Sequence, residues 1–182
     1  MANFCRKRVY QDEATQAGDL SKRGYVYQGG VFQAVPSPGT ASIGLQTSSL
    51  TTIVYLRELT TISQACRTLV YEGVTFSTTA GSATGTNLLR TEPNSAASLY
   101  ASVTSSGGTL IAQDLAGSGN KAGGIAVCTK VRTLKPNESY LFTVQNLGNQ
   151  ATDTLVTLVW SEGEPSQYNV ITDPNTTDSG VT

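Results

Sequence analysis

The sequence predicts an all-β protein, a β-sandwich or jelly roll built as a single domain. Three observations predict it. Short runs of period-two apolar alternation recur from residue 51 to residue 162, and no helical period appears in that stretch. Thr and Ser make up about a quarter of the chain and Gly adds 18 residues, a mix suited to pleated surfaces and turns. A chain of 182 residues is also long enough to bury one proper core.

The segments follow in order. Residues 1–23 hold five of the twelve basic residues, Arg6, Lys7, Arg8, Lys22 and Arg23, against Asp12, Glu13 and Asp19. This stretch has little apolar content and reads as an arm that orders against a partner. Residues 24–50 contain Gly29-Gly30 and the run VPSPG at 35–39, which predicts irregular extended structure. The arm is therefore expected to run over 1–45.

Strands are expected at Thr51–Glu58, Arg67–Ser77, Ala96–Thr104, Thr109–Leu115 and Gly124–Val131. The runs TTAGSATG, SSGG and AGSGNKAGG between them read as loops. Thr60–Cys66 is a candidate for one helical turn. From Leu134 to Glu162 the pattern is strongest. Tyr140, Phe142 and Val144 alternate with Leu141, Thr143 and Gln145, and Val156, Leu158 and Trp160 alternate with Leu155, Thr157 and Val159. Asn146, Gly148 and Asn149 supply turn chemistry between the two runs, so the segment reads as a hairpin. Both faces of its second strand are apolar, which fits a sandwich or a contact between chains. The sandwich is expected to span 46–164. Glu162, Glu164, Asp173 and Asp178 have no basic residue near them and read as acidic surface, with a tail over 165–182.

Charge and cysteine usage narrow the function. The net charge is −1 and 14% of residues are charged, too weak a field to hold nucleic acid through its phosphates. Arg6-Lys7-Arg8 makes a small basic patch, as apt for acidic groups on a protein partner as for nucleic acid. Cys5, Cys66 and Cys128 are widely spaced with no CxxC pair, which suits reduced thiols in a protein made in a cytosol. No apolar run nears the ~20 residues of a membrane span. No apolar stretch follows the charged N-terminus, so no secretory signal is expected.

Catalytic chemistry finds little support. The chain has no His, which removes Ser–His–Asp and Cys–His mechanisms. Gly117, Gly119 and Ala122 fit a dinucleotide-binding spacing, but a β-type run follows where a helix must begin. Asp178-Ser179-Gly180 matches an aspartic-protease triplet with no chain left to build a site. Glu72, Glu92, Asp114 and Glu138 are the carboxylates available for glycoside hydrolysis, and nothing in their spacing pairs them. Tyr25, Tyr27 and Phe32 form an aromatic cluster suited to anchoring an arm on a neighbouring subunit. No enzyme, cofactor or metal is expected.

Four blocks carry a resemblance. They are V-Y-E-G at 70–73, G-S-G-N-K-A-G-G at 117–124, L-K-P-N-E-S-Y-L-F-T-V-Q-N at 134–146 and D-T-L-V-T-L-V-W-S-E at 153–162. Over about half the chain, Leu69 to Glu164, the sequence resembles the head decoration (cement) proteins of tailed bacteriophages. The resemblance implies a sandwich like that of tumour necrosis factor, forming a homotrimer on the outside of a phage head. It implies a structural role, bridging subunits of the major capsid protein, and supplies no catalytic residue. The expected partners are then the major capsid protein and further copies of the chain, with no nucleic acid and no membrane. The expected location is the capsid surface of the virion, after synthesis in the bacterial cytoplasm. Phe4, Arg6, Lys7, Arg8, Tyr10, Tyr25, Tyr27 and Phe32 are the expected capsid contacts. Tyr140, Phe142, Val144, Val156, Leu158 and Trp160 are the expected core or subunit interface. The alternative is a tail-fibre or baseplate module that binds a receptor or carbohydrate, suggested by the Gly/Ser loops and by Tyr25, Tyr27 and Tyr100.

Overall fold

In β1 (Val26–Val35) every second side chain is exposed and the rest are covered, the pattern of a strand with one face on a core. The computed structural model describes residues 20–61, 64–79, 82–101, 103–116, 125–126 and 132–163. Eleven further strands lie among them: β2 (Gly39–Gln46), β3 (Thr51–Thr61), β4 (Cys66–Thr79), β5 (Ser82–Thr84), β6 (Thr86–Asn87), β7 (Ser98–Ala101), β8 (Val103–Ala116), β9 (Ile125–Ala126), β10 (Arg132–Leu134), β11 (Ser139–Asn146) and β12 (Thr152–Gly163). They form two antiparallel sheets. The first has the order β10-β3-β12-β1-β6, with β9 also on β3, and the second β5-β7-β2-β11-β4-β8. The fold is an all-β sandwich, as the composition and periodicity predict.

The core lies between the sheets. β2 and β11 contribute Ala41, Ile43, Leu45, Tyr140, Phe142 and Val144, and β12 faces them with Val156, Leu158 and Trp160. Trp160, Tyr140 and Phe142 are the largest fully buried side chains.

Three expectations need correction. Residues 26–46 are not part of an arm. β1 pairs with β12 along its whole length, and β2 pairs with β11 from Gly39 to Asn146. Gly29 serves a close approach: a Cβ there would lie 2.4 Å from Leu99 Cδ2 and 3.5 Å from Trp160. The VPSPG run is the short crossing that carries the chain from one sheet to the other, with a cis Ser37-Pro38 bond.

The Leu134–Glu162 segment is not a hairpin. β11 lies between β2 and β4 in one sheet and β12 between β3 and β1 in the other, so residues 147–151 arch between the layers. Each strand is apolar on both faces because its outer face is covered as well: Leu141 of β11 packs with Val74 and Val103, and Val159 of β12 packs against Leu20 and Val26. The SSGG run at 105–108 lies inside β8, opposite Val74, Thr75 and Phe76, rather than in a loop.

Of the other expectations, the Ala96–Thr104 strand is divided between β7 and β8, and the TTAGSATG loop holds the end of β4 and all of β5. Thr51–Glu58 and Arg67–Ser77 fall within β3 and β4. Of Gly124–Val131 only Ile125–Ala126 is described, on β3. Residues 60–61 end β3 and Cys66 opens β4, so no helical turn forms over the described part of 60–66. The tail at 165–182 lies outside the described residues.

β4 and β8 make a long ribbon with a crease across it. Gly73, Gly107 and Gly108 have φ of 71°, 69° and 89°, a region that L side chains enter at a cost. Beyond the crease, Val74, Phe76 and Val103 join Leu141, Tyr71 and Tyr100 in a second apolar cluster. Phe76 meets Tyr100 edge-on with ring centroids 5.6 Å apart. Gly44 gives this strap its room, since a Cβ there would lie 2.9 Å from both Phe76 and Val103.

Candidate functional site

Two polar nodes and one shallow depression are the candidates for a functional role. The first node is Glu162, two residues beyond Trp160 on the same face of β12. Its carboxylate is 2% exposed. It accepts hydrogen bonds from Trp160 Nε1 (2.7 Å), Ala96 N (3.0 Å), Ala97 N (3.2 Å) and the Ser95 hydroxyl. A buried carboxylate needs such donors in place of water. Four donors occupy it, so it clamps residues 95–97 to β12 and is closed to an outside substrate. The expectation that Glu162 belongs to an acidic surface is overturned: it points inward beside Trp160.

The second node joins the 134–138 turn to β4. The Tyr140 ring is in the core, and its hydroxyl donates to Glu72 Oε2 (3.0 Å) while accepting from Lys135 N (2.8 Å). Glu72 also binds Lys135 Nζ at the surface. Lys135 and Tyr140 together hold the Glu72 carboxyl below its usual range. Burial, with the Glu72 charge beside it, pushes the Tyr140 phenol well above its usual value. A phenol held neutral, with both hydrogen-bonding roles filled, acts as a structural pin. Thr47 ties the same turn to β2, donating to Lys135 O (2.7 Å) and accepting from Glu138 N (2.8 Å).

The expected site residues divide into three groups. Phe4, Arg6, Lys7, Arg8 and Tyr10 lie outside the described residues. Tyr25 packs against the cluster of Leu20 and Val26, and the Tyr27 ring stands 6.2 Å from Trp160, so both are built into the sandwich. Phe32 is 65% exposed on the outer face of β1, opposite Leu155. Tyr140, Phe142, Val144, Val156, Leu158 and Trp160 are each at most 2% exposed within the single chain. They fill the intramolecular core and offer no area to a second subunit. Cys66 is buried in that core; Cys5 and Cys128 lie outside the described residues.

Of the glycosidase candidates, Glu72 is ion-paired, Glu92 is exposed and Glu138 caps its own turn at Ser139 N (3.0 Å). Among the described residues no group of three His, Cys, Asp or Glu could hold a metal. A shallow depression of 390 Å³ is lined by Gln33, Ala34, Thr40, Ser42 and Val103. Ser42 in its lining is engaged internally, with its N donating to Gln33 Oε1 and its Oγ to Val103 O.

Sequence reasoning missed Glu162, and strand parity was the signal that could have found it. It read Asn146 as turn chemistry, which the bond accepted from Gly148 N (2.9 Å) fits, and did not foresee that the side chain also donates to Gln150 O (2.8 Å) and Pro36 O (3.2 Å). Asn146 thereby ties together the two crossings between the sheets. No family model matches the chain, and no curated protein or solved structure is significantly similar to it.

Proposed function

We propose that the protein is a structural component of a phage particle: a homotrimeric decoration protein on the outside of the head. There it would bridge major capsid subunits and stabilise the shell. The sequence blocks that resemble such proteins support the reading, and the two longest lie on β11 and β12, the central strands of the two sheets.

One observation carries it. Both ends of the described sandwich lie at one pole. Glu162 N donates to Tyr25 O (3.2 Å) and Val26 pairs with Ser161. Leu20 packs beside Val26 there. Phe4, Arg6, Lys7, Arg8 and Tyr10 precede Leu20 in the sequence, and Leu20 lies at the pole where β12 ends. A basic, aromatic segment joined in sequence to that pole would suit a protein that grips a surface there. On this reading the capsid contacts fall in the basic N-terminal part of the expected 1–45 arm, because residues 26–35 and 39–46 belong to the two sheets.

The test is deletion of residues 1–19, followed by binding to expanded heads that lack the protein. The truncated chain should keep its melting temperature and β-type circular dichroism and lose head binding. Full occupancy of the heads by the truncated chain would refute the arm's role. A count of only a few copies per virion would favour the tail-module alternative.

A further inference from the structure

β8 ends its sheet, and among the described residues no strand pairs with its outer side. Edge strands are commonly protected by short length, Pro or charge, Lys above all. β8 is 14 residues long, with no Pro and no charged residue from Val103 to Gln113. It also exposes large apolar side chains: Leu115 is 73% exposed, Leu110 45% and Ile111 37%. Leu115 pairs with Arg67 and Leu110 with Tyr71, while Ile111 is the extra residue of a bulge. Leu110 and Leu115 therefore share the outward face of the sheet.

We propose that β8 pairs with β8 of a second copy of this chain, antiparallel about a two-fold axis at Gln113. A two-fold contact requires the same strand to complement itself, and this register does so. Gln113 meets its own copy. With the bulged Ile111 left out of register, as it is against β4, Leu115 of each chain meets Leu110 of the other on the same face, giving two leucine contacts. Asp114, the strand's one charged position, meets Ala112 rather than another acid. A partner recognised by charge would find a single charge here; an uncharged edge with matched leucines is what a second copy presents.

The area sets the strength. Thr109–Ala116 spans ~27 Å of strand, which places the contact at the small, reversible end of protein interfaces. The inference goes beyond head binding and does not depend on it. Around a shell such pairs would link neighbouring copies laterally.

The test uses the full-length chain without heads. Sedimentation over a range of concentrations should show in the wild type a reversible association step separate from any trimer, and that step should be weakened at least tenfold in Leu115→Lys. A Leu110→Cys/Leu115→Cys variant, with Cys5 and Cys128 changed to Ser, should oxidise to a discrete two-chain product on a denaturing gel. Unchanged association in L115K would overturn the proposal. So would a wild type that shows no association, or a ladder of longer covalent products, which means open-ended stacking of edges.

Discussion

Glu162 shows how one side chain can fix both a fold's end and its interior. Its carboxylate is buried, yet the donors that face it come from two parts of the architecture: the Trp160 indole in the core, and Ser95, Ala96 and Ala97 in the loop before β7. Gly85 lies in the same corner, where a Cβ would sit 2.3 Å from Trp160 Cζ2, so the indole is held on one side by backbone and on the other by the carboxylate. Changing Glu162 to Gln keeps the shape but turns one acceptor into a donor aimed at donors. Hydrogen bonds to a charged partner are worth about 1.5–3 kcal/mol each, and an unsatisfied buried group costs about 1–3 kcal/mol. Glu162→Gln should therefore destabilise the fold by about 2–4 kcal/mol. Urea unfolding followed by fluorescence measures it, because Trp160 is the chain's one Trp. A shift of less than half a kcal/mol would mean that the clamp is ornamental.

At the scale of elements, what the sequence revealed and what it hid have one cause. Period-two spacing encodes which face of a strand is buried, so Tyr140/Phe142/Val144 and Val156/Leu158/Trp160 were legible as inward sets. The same spacing carries no information about which strand lies alongside. β11 and β12 thus read as a hairpin although the 147–151 arch carries the chain to the other sheet. The β1 and β2 region was hidden for a different reason. Gly29-Gly30 and VPSPG look like loop chemistry, and the Trp160 and Leu99 that require Gly29 are remote in sequence. Of the candidate site, the β8 edge was never encoded as a motif, since it depends on where that strand lies in its sheet. The turn that precedes β11 can be tested directly. Tyr140 links it to β4 through Lys135 N and Glu72. Burial, then the neighbouring Glu72 charge, raise the phenol's pKa above its ordinary 10.0. A raised folded-state pKa means that this stabilisation is complete below pH 10 and is lost as pH climbs above it, because the unfolded chain ionises first. Tyr140→Phe should cost about 1–2 kcal/mol at pH 7 through the lost bonds. Its stability should also fall less steeply than the wild type's from pH 10 to 12, with Tyr27, likewise raised, leaving a residual slope. Urea midpoints at pH 8, 10 and 11 separate the two chains; parallel curves would contradict the assignment.

Across the whole molecule the topology makes folding a long-range event. β1 pairs with β12, joining residues 26–35 to 152–161, and β2 pairs with β11, joining 39–46 to 139–146. In both sheets an early strand closes on a late one, so the loop entropy of more than half the chain is lost before these contacts form. Proteins dominated by such pairings fold in milliseconds to seconds rather than microseconds. Neither sheet can bury its inner face alone, because the core is made of both: Ile43, Leu45 and Phe142 from one meet Val156, Leu158 and Trp160 from the other. Refolding from urea should therefore be slow, on the order of seconds. The burial of Trp160 should appear at the same rate as the far-ultraviolet β signal, because docking of β12 completes both the sheet and the core. Stopped-flow fluorescence and circular dichroism on the same sample make the comparison. Circular dichroism that recovers well ahead of Trp160 fluorescence would mean that the β2-β11-β4-β8 sheet, with its own strap cluster of Val74, Val103 and Leu141, forms first and waits for β12.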